Sequence, residues 1–139
     1  MLLPRRPRLV VDANVWVSYL PTRSFPGLVH IIRSGRAVLL ISEGSIAELQ
    51  DVLDRPKFKK LVPPELGSAF IALLYLSGNM IHPRSRQPMC RDPKDDHLLN
   101  TALDGSADLI ITGDLDLLSM DPFRGIRIIS PSAFLRAFK

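Results

Sequence analysis

Aspartates follow two apolar runs of the chain at the points where those runs end. Asp12 comes directly after residues 9–11, and Asp114 comes after residues 109–112 and one glycine. In open parallel α/β sheets, ligands bind beyond the carboxyl ends of the strands, so both aspartates would lie at one edge of a sheet. Either aspartate alone is first explained as a helix cap. The two together favour a shared site.

A third carboxylate belongs to a predicted helix. At about 100° per residue, this helix has one apolar stripe, formed by Leu98, Leu99, Ala102 and Leu103. Asp95 projects near the centre of the stripe and Asp96 lies well off it. A carboxylate on a core-facing stripe is costly unless a cation or hydrogen-bond donors meet it. Asp95 as an N-cap would avoid that cost, and Asp92 or Asp96 could take its place. Of the three aspartates, Asp95 is the preferred ligand for a cation.

Periodicity leaves other acids undecided. Glu48 lies at the margin of an apolar helical stripe, beside Val52, which alone indicates a solvated position. Asp51 and Asp116 are first explained as exposed or capping residues.

Carboxylates from separate segments, without His or Cys, are hard oxygen ligands suited to Mg²⁺ or Mn²⁺. Such ions lower the pKa of a bound water and neutralise charge on a leaving oxygen, which is the chemistry of phosphodiester cleavage. The sequence contains no P-loop, GxGxxG motif or recognisable Ser-His-Asp set. A structural zinc is not expected, because His82, His97 and Cys90 lack the spacing of a zinc site.

Composition sets the frame for these residues. The chain has 139 residues, 46% of them hydrophobic, which predicts a single domain over residues 1–139. No run approaches the roughly 18 apolar residues of a membrane span. A lone cysteine excludes an internal disulfide and fits a cytoplasmic location. The net charge of +4 mildly favours an anionic partner such as RNA.

Strand-like and helical segments alternate along the chain. Short aliphatic runs predict strands at residues 8–11, 37–41, 80–82, 109–112 and 126–129. Helical spacing predicts helices at residues 25–34, 45–55, 65–77, 96–104 and 132–138. This alternation predicts an α/β fold with a largely parallel central sheet of about five strands.

Four short motifs, in order and suitably spaced, resemble the PIN domain. They are VVDANV at residues 10–15, IS with AEL at residues 41–49, RDPKDD at residues 91–96 and ITGDLD at residues 111–116. The resemblance is to the VapC-like branch, the toxins of toxin–antitoxin systems, and residues 48–58 are also similar to it.

The resemblance implies a Rossmann-like fold with helices on both faces of the sheet. It also implies that Asp12, Glu48, Asp95 and Asp114 are catalytic metal ligands, with Asp116 as an accessory ligand and Mg²⁺ or Mn²⁺ as cofactor. Glu48 rises to a ligand on this ground only. Asn14 is the polar residue that accompanies the first aspartate.

The expected function is endoribonuclease activity, with RNA and a small antitoxin protein as partners and a homodimer left open. Asn14, Arg91 and Lys94 are the expected substrate contacts, together with the basic residues of segment 55–60. One alternative is an aspartate-dependent phosphatase, which usually needs a second acid where Asn14 stands. Another is a non-catalytic RNA-binding or protein-interaction module.

Overall fold

A computed structural model describes residues 3–22, 26–84 and 93–138. Its centre is a five-stranded sheet in which every pair of neighbouring strands is parallel, in the order β3-β2-β1-β4-β5. The strands are β1 (Arg8–Val11), β2 (Val38–Ile41), β3 (Gly78–Met80), β4 (Leu109–Ile111) and β5 (Arg127–Ile129). The predicted parallel sheet is therefore confirmed.

Helices connect these strands. They are α1 (Ala13–Thr22), α2 (Pro26–Arg33), α3 (Glu43–Leu53), α4 (Pro56–Lys59), α5 (Pro64–Ser77), α6 (Pro93–Asp104), α7 (Leu115–Leu118) and α8 (Pro131–Ala137). In the described part of the chain, no helix is long and apolar enough to cross a membrane.

Side chains of the strands alternate between two cores. Leu9 and Val11 of β1 pack in one apolar cluster with Trp16, whereas Val10 packs in the other with Leu99. Because successive residues of a strand point to opposite faces, the sheet must be covered on both sides. The prediction of helices on both faces is confirmed.

Three features of the fold differ from the sequence prediction. The prediction missed α1, α4 and α7, and α6 begins at Pro93 instead of residue 96. β3 covers residues 78–80 instead of 80–82. Its first residue is Gly78, where a Cβ atom would lie 2.8 Å from the Leu74 carbonyl oxygen and 2.9 Å from Ile41 Cδ1. The absence of a side chain lets the strand begin directly at the end of α5.

Candidate functional site

The site lies where the order of the strands reverses. From β1 the chain proceeds to β2 and β3 on one side, and β4 and β5 lie on the other. β1 and β4 are neighbours, with Val11 opposite Ile111. The backbone N–H of Asp12 donates to the Ile111 carbonyl at 2.9 Å, so Asp12 and Asp114 leave adjacent strands at the same edge. Such a reversal opens the crevice in which parallel sheets bind ligands.

Thr112 holds the two aspartates in place. Its Oγ1 donates to Asp12 Oδ2 at 2.8 Å and accepts from the backbone N–H of Asp114 at 3.0 Å. Thr112 is fully buried and Asp12 is 8% exposed, so water cannot readily replace either contact. The sequence prediction treated Thr112 only as the end of a strand. The signal for it in the sequence was one hydroxyl-bearing residue at the end of the apolar run Leu-Ile-Ile.

Both aspartates also act as caps. Asp12 Oδ1 accepts from the Asn14 N–H at 3.1 Å. Asp114 is the N-cap of α7, and its Oδ1 accepts from the Asp116 N–H at 2.8 Å. A carboxylate oxygen has room for about two donors or cations. Each Asp12 oxygen that accepts one bond therefore keeps capacity for a cation, and capping does not exclude a site.

Four of the five predicted acidic ligands line one cavity of about 140 Å³, here called the acid cavity. Its walls come from helices α1, α3 and α6 and from the segments that follow β1, α3 and β4. They are formed by Asp12, Asn14, Glu48, Val52, Arg55, Asp95, Leu98 and Asp114. The structure thus brings together four carboxylates that are far apart in the sequence.

Helix α3 supplies Glu48. The helix starts at a capping box in which the Ser42 and Ser45 side chains each bond to the other's backbone N–H. Ile46 and Leu49 are buried, while Glu48 is half-buried and faces the acid cavity with Val52, one turn later. Glu48 lies at the margin of the apolar stripe, as its periodicity indicated.

Helix α6 supplies Asp95. Since α6 begins at Pro93, Asp95 lies within the first turn rather than at the N-cap. Asp95 and Leu98 both line the acid cavity, whereas Asp96 is absent from its described walls. The helical phase therefore favours Asp95 over Asp96 as a ligand. Asp92 lies outside the described residues.

A contact between α3 and α6 holds the helices that carry Glu48 and Asp95. Ser42 Oγ and His97 Nε2 are 2.8 Å apart, and Ser42 is fully buried. The His97 ring packs so closely on Gly44 that a Cβ atom there would lie 2.5 Å from Nε2. Burial lowers the pKa of His97, which favours the neutral ring. The sequence prediction considered His97 only as a zinc ligand and missed this contact.

The remaining predicted residues lie elsewhere. Asp116 is exposed on α7, touches Asp114 through its backbone N–H, and is absent from the described walls of the acid cavity. Arg91 lies outside the described residues, and so does the side chain of Lys94 at the start of α6. Arg55 does line the acid cavity, and it also pairs with Asp51 at 3.7 Å. Among the singled-out basic residues whose side chains the structure describes, Arg55 is the one that lies beside the acids.

The donor chemistry of the acid cavity fits a hard divalent cation, because every ionisable ligand on its described walls is a carboxylate. Within the described ranges, however, no group of three or more His, Cys, Asp or Glu side chains is close enough to hold a metal ion as placed. The carboxylates surround the space instead of meeting at a point. Like charges favour this separation, and a cation would draw them together.

Sequence comparisons find related proteins. A sequence model of the PIN domain matches residues 8–116. The uncharacterized protein MJ1680 of Methanocaldococcus jannaschii is 30% identical over 116 residues, which cover 81% of this chain and 74% of that protein.

Solved structures with the same fold include PAE2754 from Pyrobaculum aerophilum, with a TM-score of 0.64 at 14% identity, covering 98% of this chain and 91% of that chain. VapBC2 from Rickettsia felis, solved bound to a DNA fragment from the VapBC2 promoter, has a TM-score of 0.58 at 12% identity and covers 88% of this chain and 98% of that one. VapBC-1 from nontypeable Haemophilus influenzae has a TM-score of 0.58 at 15% identity, with coverage of 90% and 98%. At these identities the likeness shows the fold.

Proposed function

This chain belongs to the PIN-domain family, whose members are generally nucleases, and we propose that it is a metal-dependent endoribonuclease. The observation that carries the proposal is the acid cavity, where Asp12, Glu48, Asp95 and Asp114 share one set of walls. Four carboxylates around a small polar space are unfavourable for folding alone. They are explained if the space receives cations and a phosphate.

We assign the roles by position. Asp12, Asp95 and Asp114 are the principal ligands for Mg²⁺ or Mn²⁺, and Glu48 is a ligand or the base that orients a water. A divalent ion in this cavity would supply an activated water and neutralise charge on the leaving oxygen. Asp116 remains a proposed accessory ligand that would have to turn toward the cavity.

Substrate contacts are proposed from charge. Arg55 lines the acid cavity together with the four carboxylates, and we assign its guanidinium to bind a phosphate that enters this space. Asn14 lines the same space and can bond to the RNA backbone. Arg91 and Lys94 stay proposed phosphate contacts on the sequence alone.

The biological role proposed is that of a VapC-like toxin acting on RNA in the cytoplasm, with all 139 residues forming one PIN domain. The VapBC structures with the same fold support a small antitoxin protein as partner. Copurification with the product of a neighbouring gene would test that part of the proposal.

The rival activities are separated by one experiment. End-labelled single-stranded RNA and p-nitrophenyl phosphate are incubated with the protein in Mn²⁺ or in EDTA. We expect internal RNA cleavage in Mn²⁺, none in EDTA, and no phosphomonoester hydrolysis. Release of p-nitrophenol without RNA cleavage would favour the phosphatase, and RNA binding without either reaction would favour the non-catalytic module.

A matched pair of variants tests the assignment on α6. Asp95→Asn should lose RNA cleavage, whereas Asp96→Asn, the same change one residue later, should retain it. The reverse result would show that the helical phase assigned to the ligand is wrong.

A further inference from the structure

Arginines gather where helices α2 and α8 end. They are Arg5, Arg6, Arg33, Arg36 and Arg136, here called the arginine face, and all five are exposed. Arg6 Nε donates to the Gly35 carbonyl at 3.0 Å. The Arg36 guanidinium lies 4.9 Å from the centre of the Phe138 ring, directly after α8. These two contacts bring together three segments that are far apart in the sequence.

The segments that carry the arginine face are almost free of acidic residues. Residues 1–11, 13–42 and 122–139 contain no Asp or Glu, so every acidic residue except Asp12 lies within residues 43–121. Among the described residues, none of the five arginines has a carboxylate partner. Guanidinium groups that cluster without carboxylates create a positive potential, which attracts anions.

The composition of the arginine face favours a nucleic-acid backbone as the anion. Its five cations are all arginines, and the planar guanidinium can bind two phosphate oxygens at once. Membrane and protein partners also need exposed apolar groups near the charges. The large apolar side chains that are exposed in the described part of the chain are Leu61, Tyr75, Leu76 and Leu115. None of them belongs to the segments that carry the arginine face.

Helix α8 connects the arginine face with the acids. Pro131, its first residue, lines a cleft of about 460 Å³ that shares Asp12 and Asp114 with the acid cavity. Arg136 lies in its last turn. At about 1.5 Å per residue, the 7 residues of α8 span about 10 Å. A stacked strand carries a phosphate about every 3.4 Å, so about three phosphates cover this length.

We propose that the arginine face is a second phosphate-binding surface, which holds the RNA backbone a few nucleotides away from the scissile bond. The choice of RNA rests on the proposed ribonuclease function, whereas the anion-binding surface itself does not. Because its arginines do not contact the acid cavity, the surface should increase the affinity for long RNA and leave the cleavage of short RNA unchanged. Its contribution should weaken with salt, since each phosphate contact releases counterions.

A matched pair of double variants isolates the arginine face. Arg33→Gln with Arg136→Gln removes two of its charges, at exposed positions in the last turns of α2 and α8. The control, Arg84→Gln with Arg124→Gln, removes two charges at exposed positions outside the arginine face. The two double variants therefore have the same net charge, and thermal melts show whether each folds.

The test measures RNA binding by fluorescence anisotropy in Ca²⁺, which is expected not to support cleavage. It compares a short RNA with the same RNA extended by about ten nucleotides at its 5′ end or at its 3′ end. The wild-type protein and the control should bind one of the extended RNAs at least about tenfold more tightly than the short RNA.

Arg33→Gln with Arg136→Gln should lose most of that gain. The slope of log affinity against log salt should fall by about 0.7 for each lost contact with a single strand. Affinity for the short RNA, and its cleavage in Mn²⁺, should be equal in all three proteins. If the double variant does not fold, Arg5→Gln replaces it, with Arg84→Gln as its control.

Different results overturn different claims. Equal losses in the test and control variants, or no gain from either extension, would refute the phosphate-binding surface and leave the ribonuclease intact. Wild-type binding to phosphatidylserine vesicles or to polyglutamate that is tighter than binding to the extended RNAs, and is lost with Arg33 and Arg136, would refute RNA as the partner. Extended RNA that is bound through the arginine face but not cleaved in Mn²⁺ would refute the proposed function and support the surface.

Discussion

The two ends of strands β1 and β4 differ in the charged groups that they bring together. At their amino ends, the Arg8 N–H donates to Asp108 Oδ2 at 2.8 Å, and the Asp108 N–H donates back to the Arg8 carbonyl at 2.8 Å. The Arg8 guanidinium also donates twice to the Gly105 carbonyl, at 3.0 and 2.8 Å. The polar groups at this end satisfy each other, which stabilises the sheet.

At the carboxyl ends of the same strands, carboxylates face one another. Asp12 and Asp114 share the acid cavity with Glu48 and Asp95, and Arg55 is the one cationic side chain on its described walls. Stability alone does not account for this arrangement, since like charges disfavour the folded state. The comparison supports the proposal that one end of the strands maintains the fold and the other end serves binding.

The largest expected difference comes from removing one carboxylate at each end. Asp12→Asn should reduce RNA cleavage by at least about a hundredfold, the upper range for losing even an outer-shell partner of a metal. Its melting temperature without metal should be unchanged or higher, because relief of repulsion offsets one lost acceptor. Asp108→Ala should instead keep its activity and lose about 1 kcal/mol of stability, since the Arg8 N–H loses its partner.

Cleavage assays and denaturant melts on the same preparations check both variants. An Asp12→Asn protein that unfolds, or that cleaves RNA normally, would remove Asp12 from the site. An inactive but folded Asp108→Ala protein would show that the two ends are not separate in function.

The next effect concerns Thr112, which joins the two aspartates. Thr112→Val keeps the shape but leaves Asp12 Oδ2 without this donor and the Asp114 N–H without this acceptor. We expect a loss of about 1–3 kcal/mol in stability and of about 10–100-fold in Mn²⁺ affinity. Thr112→Ser should restore Mn²⁺ affinity, because it restores the hydroxyl. Equal Mn²⁺ affinity in the valine and serine variants would show that Thr112 does not position the acids.

The sequence predicted those elements and residues that a local pattern of apolar and polar residues marks. The aliphatic runs of β1 and β4 predicted both strands, and the acids after them were found by position alone. Helix α1 was missed because Val15, Trp16 and Val17 are consecutive and all buried, so the exposed pair Asn14 and Ser18 gives only a weak helical period.

Contacts between distant residues had no local signal. Thr112 and Asp12 are 100 residues apart, and His97 and Ser42 are 55 apart. Glu48 needed the family resemblance, because its place at the margin of a stripe is equally that of a solvated residue. Pairings of this kind depend on how the elements pack, which periodicity does not specify.

A smaller effect is expected at the contact between α3 and α6. His97→Ala removes the ring that packs on Gly44 and bonds to Ser42, so Glu48 and Asp95 should be less well positioned. We expect a loss of about tenfold in Mn²⁺ affinity, at the lower range for an outer-shell contact. His97→Gln, whose amide can reach Ser42, should recover part of it. Gly44→Ala should resemble His97→Ala, because its methyl group displaces the ring.

Recovery of Mn²⁺ affinity in His97→Gln is the decisive outcome. If His97→Ala and His97→Gln melt at different temperatures but bind Mn²⁺ equally, the contact stabilises the fold without positioning the acids.

The smallest effect is expected at the amino end of β5, where polar groups pair with each other as they do at the amino ends of β1 and β4. The Arg127 guanidinium donates to both carboxylate oxygens of Asp121, at 2.8 and 3.1 Å. This pairing lowers the pKa of Asp121 below its ordinary value of 3.8. The pair therefore stabilises the fold above that pH, and the contribution is lost as the pH falls through and below it.

Asp121→Asn should flatten the acid limb of a plot of unfolding free energy against pH, measured between about pH 5 and pH 3. Near neutral pH it should be slightly less stable than the wild-type protein, with RNA cleavage unchanged. An acid limb identical to that of the wild-type protein would show that the pair is too exposed to matter.

The central claim is that the carboxyl ends of β1 and β4 bind a divalent metal. Titrating Mg²⁺, Mn²⁺ and Ca²⁺ while recording both the melting temperature and RNA cleavage tests it most directly. A cation that binds only the folded state should raise the melting temperature as its concentration passes its dissociation constant. Mg²⁺ or Mn²⁺ should also support cleavage, and Ca²⁺ should stabilise without doing so, because its looser coordination positions water poorly. A melting temperature indifferent to all three ions, with full cleavage in excess EDTA, would contradict the account.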